Sequence, residues 1–417
     1  MAGQAQERVG SPEFLAQFDR PGAIIANVVA HIIAAVPSTL YAIAAPVLVD
    51  TYDVTTSDIA VLVSSGMAMT MLASLLVGFN VYRLDMRTAC GVGMVLHIIG
   101  SLVSLFAGSW AFIIVGRVLG AIGDGTILSA SNAVLGRSKQ NTRNWGISGV
   151  VTGLSTSAAS YGLGITLMTY GDDALFVGLL LAGLVALPLM LLIPRYTLPA
   201  EHRKPPEVRG LQRIASAFGS WIGIFLLMGG GFVAMGDSMV WFFNGIIGDQ
   251  AGLTSEQIGG VVGAAYFAAT LGALVAAVIG HRFGRMWPLI ILGALCSVGT
   301  VLLGMADDLL SFAFACILMM GTFRAIIPFL YGTCARQDQS GGINAMFTVA
   351  VGLGGVVGPL FTDLLLGEGE SFVLPAIVGA VILMTGSLIH AFISYGHERA
   401  DAQARMVKAP AATAGEI

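Results

Sequence analysis

Residues 54–87 read VTTSDIAVLVSSGMAMTMLASLLVGFNVYRLDMR, and three features in them decide the fold. The Thr-Ser-acid start is the composition that caps a helix N-terminus. About 20 apolar residues follow, the length that crosses a bilayer core of about 30 Å. Arg83 and Arg87 then mark a basic turn. The arrangement returns later in the chain: GLTSEQIGGV begins at Gly252, 198 residues after VTTSDIAVLV at Val54, and AVIGHRFGRM begins at Ala277, 199 residues after GFNVYRLDMR at Gly78. One capped, apolar, arginine-ended unit is therefore used twice. A repeated half with a site between the copies is a recurring plan of secondary transporters.

The rest of the chain fits this reading. Of its 417 residues 56% are hydrophobic and 11% charged, against about 25% charged in an average soluble domain. Twelve apolar spans can be drawn, over 22–46, 57–79, 88–107, 110–135, 145–169, 174–194, 217–246, 256–280, 286–305, 309–335, 341–366 and 371–395. The first is too long for the core of a cleavable signal and is expected to stay in the membrane. The 55 glycines suit close helix packing, because small residues let backbones approach in lipid. All but two of the 20 Lys and Arg residues fall on one side of these spans. The opposite turns carry acids, among them Asp50, Asp53, Asp172, Asp173, Glu368 and Glu370. By the positive-inside rule the basic side is cytoplasmic, so both termini are expected there, in the cell inner membrane. The expected organisation is an N-terminal segment over 1–21, a six-helix half over 22–194, a polar linker over 195–216, a second half over 217–395 and a tail over 396–417. The fold class is all-α and polytopic, two pseudo-symmetric six-helix bundles.

Composition also limits the function. The basic residues are scattered over short turns and form no stripe for nucleic acid. No Gly-x-x-x-x-Gly-Lys-Ser/Thr loop is present to hold ATP phosphates. Cys90, Cys296, Cys316 and Cys334 show no metal or redox spacing and are expected to be free thiols. Neither a metal nor a cofactor is implied, and no Ser/His or His/Glu arrangement supports an enzyme.

The two remaining basic residues, Arg117 and Arg324, lie inside spans, as do Asp124, Asp237 and His31. A charge at the bilayer centre costs about 2.5–3.5 kcal/mol on insertion scales, so these residues must face a cavity or one another. Arg117 and Asp124 are seven residues apart, about 10.5 Å along a helix axis, which reads as too far for a direct salt bridge. The 199-residue offset places Arg324 opposite Gly125, beside Asp124, so that acid and base could meet across a cavity. Arg324 then anchors an anionic group through its planar fork, with Arg117 as a second contact. Asp124 and His31 are the proton-coupling candidates. An Asp124–Arg324 pair that merely holds one conformation is the alternative, and Arg117 could serve packing or gating alone. Asp237, Trp241 and Asn244, spaced four and three apart, would share one face of span 7 as further substrate contacts.

On these motifs the chain resembles the major facilitator superfamily over residues 20–395. Gly78, Arg83 and Arg87 are similar to the family signature after helix 2, with Tyr82 at its acid position and Asp85 at its second glycine. Arg282, Gly284 and Arg285 repeat it after helix 8, with His281 at the acid position. Arg117, Gly123 and Gly125 fit the family pattern of helix 4. The exporter signature Gly-x-x-x-Gly-Pro is missing from helix 5 and occurs in helix 11, as Gly354 and Gly358-Pro359. The resemblance implies that helices 1, 4, 7 and 10 line a central cavity and that Arg83, Asp85, Arg87, Arg282 and Arg285 belong to a cytoplasmic gate. It implies alternating-access transport; Arg117 and Arg324 favour a small organic anion or zwitterion as the substrate, and proton coupling is expected. Substrate, protons and lipid bilayer are the expected partners, and the chain is expected to act as a monomer. A proton-antiport exporter of amphipathic metabolites or drugs is the first alternative, and a non-transporting receptor on the same scaffold is the second.

Overall fold

The computed structural model describes residues 16–80, 83–135, 138, 141–195, 220–279, 284–337, 342–367 and 370–412. Among them it is all helical, with twelve long helices: α1 Pro21–Tyr52, α2 Thr56–Phe79, α3 Met86–Leu105, α4 Trp110–Leu135, α5 Asn141–Tyr170, α6 Asp173–Leu192, α7 Trp221–Gln250, α8 Ser255–Ile279, α9 Met286–Gly304, α10 Leu309–Gln337, α11 Gly342–Leu365 and α12 Val373–Ala412. α1 is interrupted at Val36, just before Pro37, and α7 between Trp241 and Asn244. Eleven of the twelve are long and apolar enough to cross a membrane. The exception is α5, whose Gly, Ser and Thr residues lower its hydropathy while fitting it for close packing.

The repeat seen in the sequence is present in the contacts. Thr55 and Asp58 form a capping box at the start of α2. At the start of α8, 199 positions on, Thr254 N–H donates to Gln257 Oε1 at 2.9 Å and Gln257 N–H to Thr254 Oγ1 at 3.3 Å. The second cap thus uses Gln257, and the neighbouring Glu256 does not take that place. The same shift relates tertiary contacts. Gly100 of α3 lies against Gly120 of α4, and Gly299 of α9 lies against Met319 of α10. Met71 of α2 meets Gly352 of α11, while Gly153 of α5 meets Thr270 of α8. That last exchange shows how the halves join: α2 runs along α11 and α5 along α8 as two symmetry-related seams. Down the α5–α8 seam Gly153, Ser157, Ser160 and Gly164 face Thr270, Gly263, Gly259 and Ser255 in antiparallel order. Met67 and Met71 fill the other seam against Gly355 and Gly352, a use suited to flexible side chains.

Inside the first half, α3 and α4 approach at Gly93, Gly100, Gly116 and Gly123 until backbone meets backbone. A Cβ on Gly100 would collide with the Gly120 amide and the Gly116 carbonyl. Gly100→Val is therefore expected to cost about 1–3 kcal/mol or more by overpacking. The readout is a lower melting temperature of the purified protein, and an unchanged one would show that the helices can part freely.

Three boundaries need comment. α12 continues to Ala412, past the expected end at 395, because Glu398 accepts from the Arg285 amide at 2.6 Å and the Met286 amide at 3.3 Å. That carboxylate caps the N-terminus of α9 and ties the extension down. Gly284, at φ +71°, makes the turn into this cap. The expected linker falls almost wholly in 196–219, outside the described residues, as does most of the N-terminal segment. All four cysteines are buried free thiols.

Candidate functional site

Two separate groups of polar side chains lie at mid-depth. The first is enclosed in the N-terminal half. Asp124 of α4 is 2% exposed and Arg117 4%, and Arg117 Nη1 lies 3.5 Å from Asp124 Oδ2. The expectation that seven residues exclude a direct ion pair is thereby corrected. It measured the rise between backbones and left out the reach of the guanidinium along the helix. Space for that reach comes from Gly66 of α2, where a Cβ would overlap the Arg117 Nε. The guanidinium carbon also sits 4.7 Å from the centre of the Tyr41 ring of α1, a cation–π contact that helps hold a desolvated charge.

The other oxygen of Asp124 is met by a residue the sequence reading passed over. His97 of α3, 2% exposed, places Nδ1 2.8 Å from Asp124 Oδ1 and Nε2 3.2 Å from the Leu179 carbonyl of α6. A carbonyl only accepts, so Nε2 carries a hydrogen and donates it. The short Nδ1–Oδ1 contact then needs a second hydrogen, supplied by an imidazolium or by a protonated carboxyl. Either way the pair holds one proton more than a neutral histidine beside a carboxylate. The signal for His97 was available, since an ionisable residue inside a span is a site candidate by the same rule that selected Asp124.

The second group is spread over α1, α7 and α10. Arg324 of α10 is exposed at the middle of its helix and makes no hydrogen bond or ion pair among the described residues. Its charge reaches Asp237 of α7 and His31 of α1. Asp237 is 6% exposed and its Oδ1 has no partner; the same is true of His31 Nδ1, whose ring stands edge-on to Trp145 at 6.0 Å. The expected Asp124–Arg324 encounter does not occur. Gly125, the pseudo-equivalent of Arg324, packs against the Thr70 backbone of α2, whereas Asp124 points to α3. Neighbours on a helix differ by about 100° in direction, so the offset located the depth and missed the azimuth.

Asn244 sits differently from expectation, because the break in α7 separates it from the segment that carries Asp237 and Trp241. Asn244 Nδ2 donates to the Trp241 carbonyl at 2.5 Å, serving an acceptor left free where the helix stops. Trp241 is 2% exposed and packs edge-on to Tyr266 at 5.8 Å, whose hydroxyl bonds to Thr39 of α1 at 2.6 Å. This is a seal between the halves, on the face of the acidic turns. Thr56 donating to Glu370 at 3.0 Å and Ser57 donating to Asp363 extend it, and Gly245 lies on the Ala42 and Ile43 carbonyls.

The residues expected to form a gate belong to the face of the basic turns. Asp85 accepts from the Thr88 amide at 3.1 Å and its hydroxyl at 2.8 Å, capping α3. Arg87 Nε donates to the Ile193 carbonyl at 2.5 Å within its own half. Arg83 is exposed, Arg285 adjoins the Glu398 cap, and Arg282 lies outside the described residues. In α11, Gly354 and Gly358 bring that helix onto Gly231 and Ser238 of α7, so the Gly-x-x-x-Gly-Pro pattern serves a helix crossing here.

Two repeated six-helix halves, sealed together at the acidic face and carrying charged side chains inside their spans, define a polytopic membrane protein of the secondary-transporter class. The chain belongs to the Major Facilitator Superfamily, whose sequence profile matches residues 28–232 and again 226–415; it is a transporter and not an enzyme. No curated protein matches it in sequence. Among solved structures, the inward-open xylose transporter XylE from E. coli is similar at TM-score 0.68 and 13% identity, over 88% of this chain and 94% of that one. A D-xylose-proton symporter gives 0.67 and 14%, over 90% and 97%. A bacterial homolog of the human lysosomal transporter Spinster, inward-facing and unoccupied, gives 0.66 and 13%, over 93% and 98%. At these identities the likeness is one of fold.

Proposed function

We propose that the protein is a proton-coupled transporter of a small organic anion or zwitterion, working by alternating access. It would act as a monomer in the inner membrane, with the basic face and both termini cytoplasmic. The carrying observation is Arg324, an exposed arginine at the middle of a membrane-spanning helix with no ion pair among the described residues. An uncompensated guanidinium there is costly and is suited to a carboxylate or phosphate that it can grip with two hydrogen bonds. Asp237 beside it offers a counter-charge for the ammonium group of a zwitterion, and His31 borders the same space. Proton coupling is assigned to Asp124 with His97 as its partner, and Arg117 holds that pair and does not contact substrate in this conformation. Arg83, Asp85, Arg87, Arg282 and Arg285 are assigned to the gate that closes the basic face in the opposite conformation.

A thermal-shift screen of the purified protein against metabolites, at about pH 5.5 and 7.5 on either side of the histidine range, tests the reading. Carboxylates and amino acids are expected to stabilise the protein, more strongly at the lower pH if proton and substrate travel together. Arg324→Ala should weaken the best ligand by about 2 kcal/mol, roughly thirtyfold in Kd. Equal stabilisation of parent and variant would remove Arg324 as the anchor. Amphipathic cations that bind best at the higher pH would favour the exporter.

A further inference from the structure

Away from the central cavity, the N-terminal half has a crevice of about 710 Å³ between α1, α5 and α6. Its walls are almost wholly apolar, including Ile33 and Leu40 of α1 and the exposed Leu181 of α6, and its floor is the ring of His97. Two glycines in those walls are not explained by packing. Gly164 of α5 and Gly183 of α6 abut Ser255 and His97, but Gly162 and Gly178, which line the crevice, have nothing within 4 Å of where a Cβ would stand. Glycine in a helix interior costs about 1 kcal/mol relative to alanine, and at these two positions it leaves room in the crevice that a side chain would occupy.

The crevice has a definite depth. Along α5 its lining runs from Tyr170, at the acidic-face end, to Ala159. That is about 16 Å of helix, close to half of a hydrocarbon core of about 30 Å. It opens sideways, where Tyr170 is 66% exposed and Leu181 55%, and in a membrane that side is lipid. At its mouth stand Asp173, which lines it, and Asp172, on a face whose turns carry acids and, in the sequence, no Lys or Arg.

We infer that this crevice is a binding site for one phospholipid of the acidic-face leaflet, whose acyl tail fills the groove and whose ammonium-bearing headgroup meets Asp172 and Asp173. The tail's end abuts His97, so an occupied crevice forms the dry wall on the α6 side of the His97–Asp124 pair. The inference is independent of which substrate Arg324 takes.

The test uses the full chain in nanodiscs of mixed phosphatidylethanolamine and phosphatidylglycerol with matched tails, followed by native mass spectrometry of lipid retained after release into detergent. The parent should keep one phosphatidylethanolamine in preference to phosphatidylglycerol. Gly162→Leu with Gly178→Leu, side chains placed in open space, should lower that retention about tenfold, equivalent to about 1.4 kcal/mol. The double alanine variant, which adds two methyl groups on better helix formers, should fall between. Asp172→Asn with Asp173→Asn should keep the lipid and lose the headgroup preference. Equal retention by the parent and both glycine variants would overturn the site, and a preference unmoved by the aspartate changes would overturn the headgroup contact.

Discussion

Asp124→Asn is expected to abolish substrate accumulation driven by a pH gradient while leaving counterflow intact. In proteoliposomes a gradient of one pH unit carries about 1.4 kcal/mol per proton, about tenfold accumulation for a one-proton symporter. The variant should reach only the level found without a gradient. The reason lies in the hydrogen count between His97 and position 124. With Nε2 committed to the Leu179 carbonyl, the 2.8 Å contact of Nδ1 with Asp124 exists only while the pair holds its extra proton. An asparagine amide can donate to a neutral ring without taking up any proton, so the pair no longer changes its proton count. Losing the carboxylate leaves Arg117 without its ion pair, and stranding a buried charge costs about 3–5 kcal/mol. The Tyr41 face, 4.7 Å from the guanidinium carbon, offsets about 0.5–2 kcal/mol of that. Counterflow, which needs both conformations and no net proton movement, separates a misfolded variant from an uncoupled one. Gradient-driven accumulation at the parental level would remove Asp124 from the role. His97→Gln keeps a donor toward Leu179 and removes the second proton site, so it should reproduce the uncoupling with Asp124 in place.

The architecture was legible in the sequence because bilayer thickness and helix rise fix span length, and because charge asymmetry and a repeat offset are linear properties. The offset that aligned GFNVYRLDMR with AVIGHRFGRM also aligns the Gly100–Gly120 contact with Gly299–Met319. The site was legible by residue type and depth. Arg117, Asp124, Asp237, Arg324 and His31 were singled out because charge inside a span must be compensated. Their pairing was not legible, since it depends on side-chain direction about the helix and on gaps left by other helices. Arg117 reaches Asp124 because Gly66 of α2 leaves room, and the phase of Asp124 turns it to His97 on α3. A helical-face argument also presumes an unbroken helix, which is why Asn244 does not continue the face of Asp237 and Trp241: α7 stops at Trp241 and restarts at Asn244.

That same break supplies the second large effect, Gly245→Val, which is expected to open the acidic face. Gly245 is the second residue of the short end segment of α7, and any Cβ there would collide with the Ala42 carbonyl of α1 and stand 3.0 Å from the Ile43 carbonyl and Pro46 Cδ. The contact is backbone against backbone, so no rotamer change can relieve it, and overpacking of this kind costs about 1–3 kcal/mol. The cost applies only to the conformation in which the acidic faces touch. It therefore acts as a conformational bias, and 1–3 kcal/mol shifts a two-state equilibrium about 5- to 150-fold. Thr39 is 2% exposed within the seal, and the four native cysteines are buried, so Thr39→Cys gives a thiol with little background, compared with and without the glycine change. An impermeant maleimide applied from the acidic face should label Cys at that position at least about fivefold faster when Gly245→Val is present. Transport should fall in parallel, because a carrier held open on one face cannot complete its cycle. Unchanged labelling in a folded double variant would show that the α1–α7 contact yields without cost and that the acidic face is held shut elsewhere, by Thr56 with Glu370 and Ser57 with Asp363. A glycine suits this position because the two surfaces must meet closely and then part, and a contact made only of backbone leaves no side chain to withdraw from a socket.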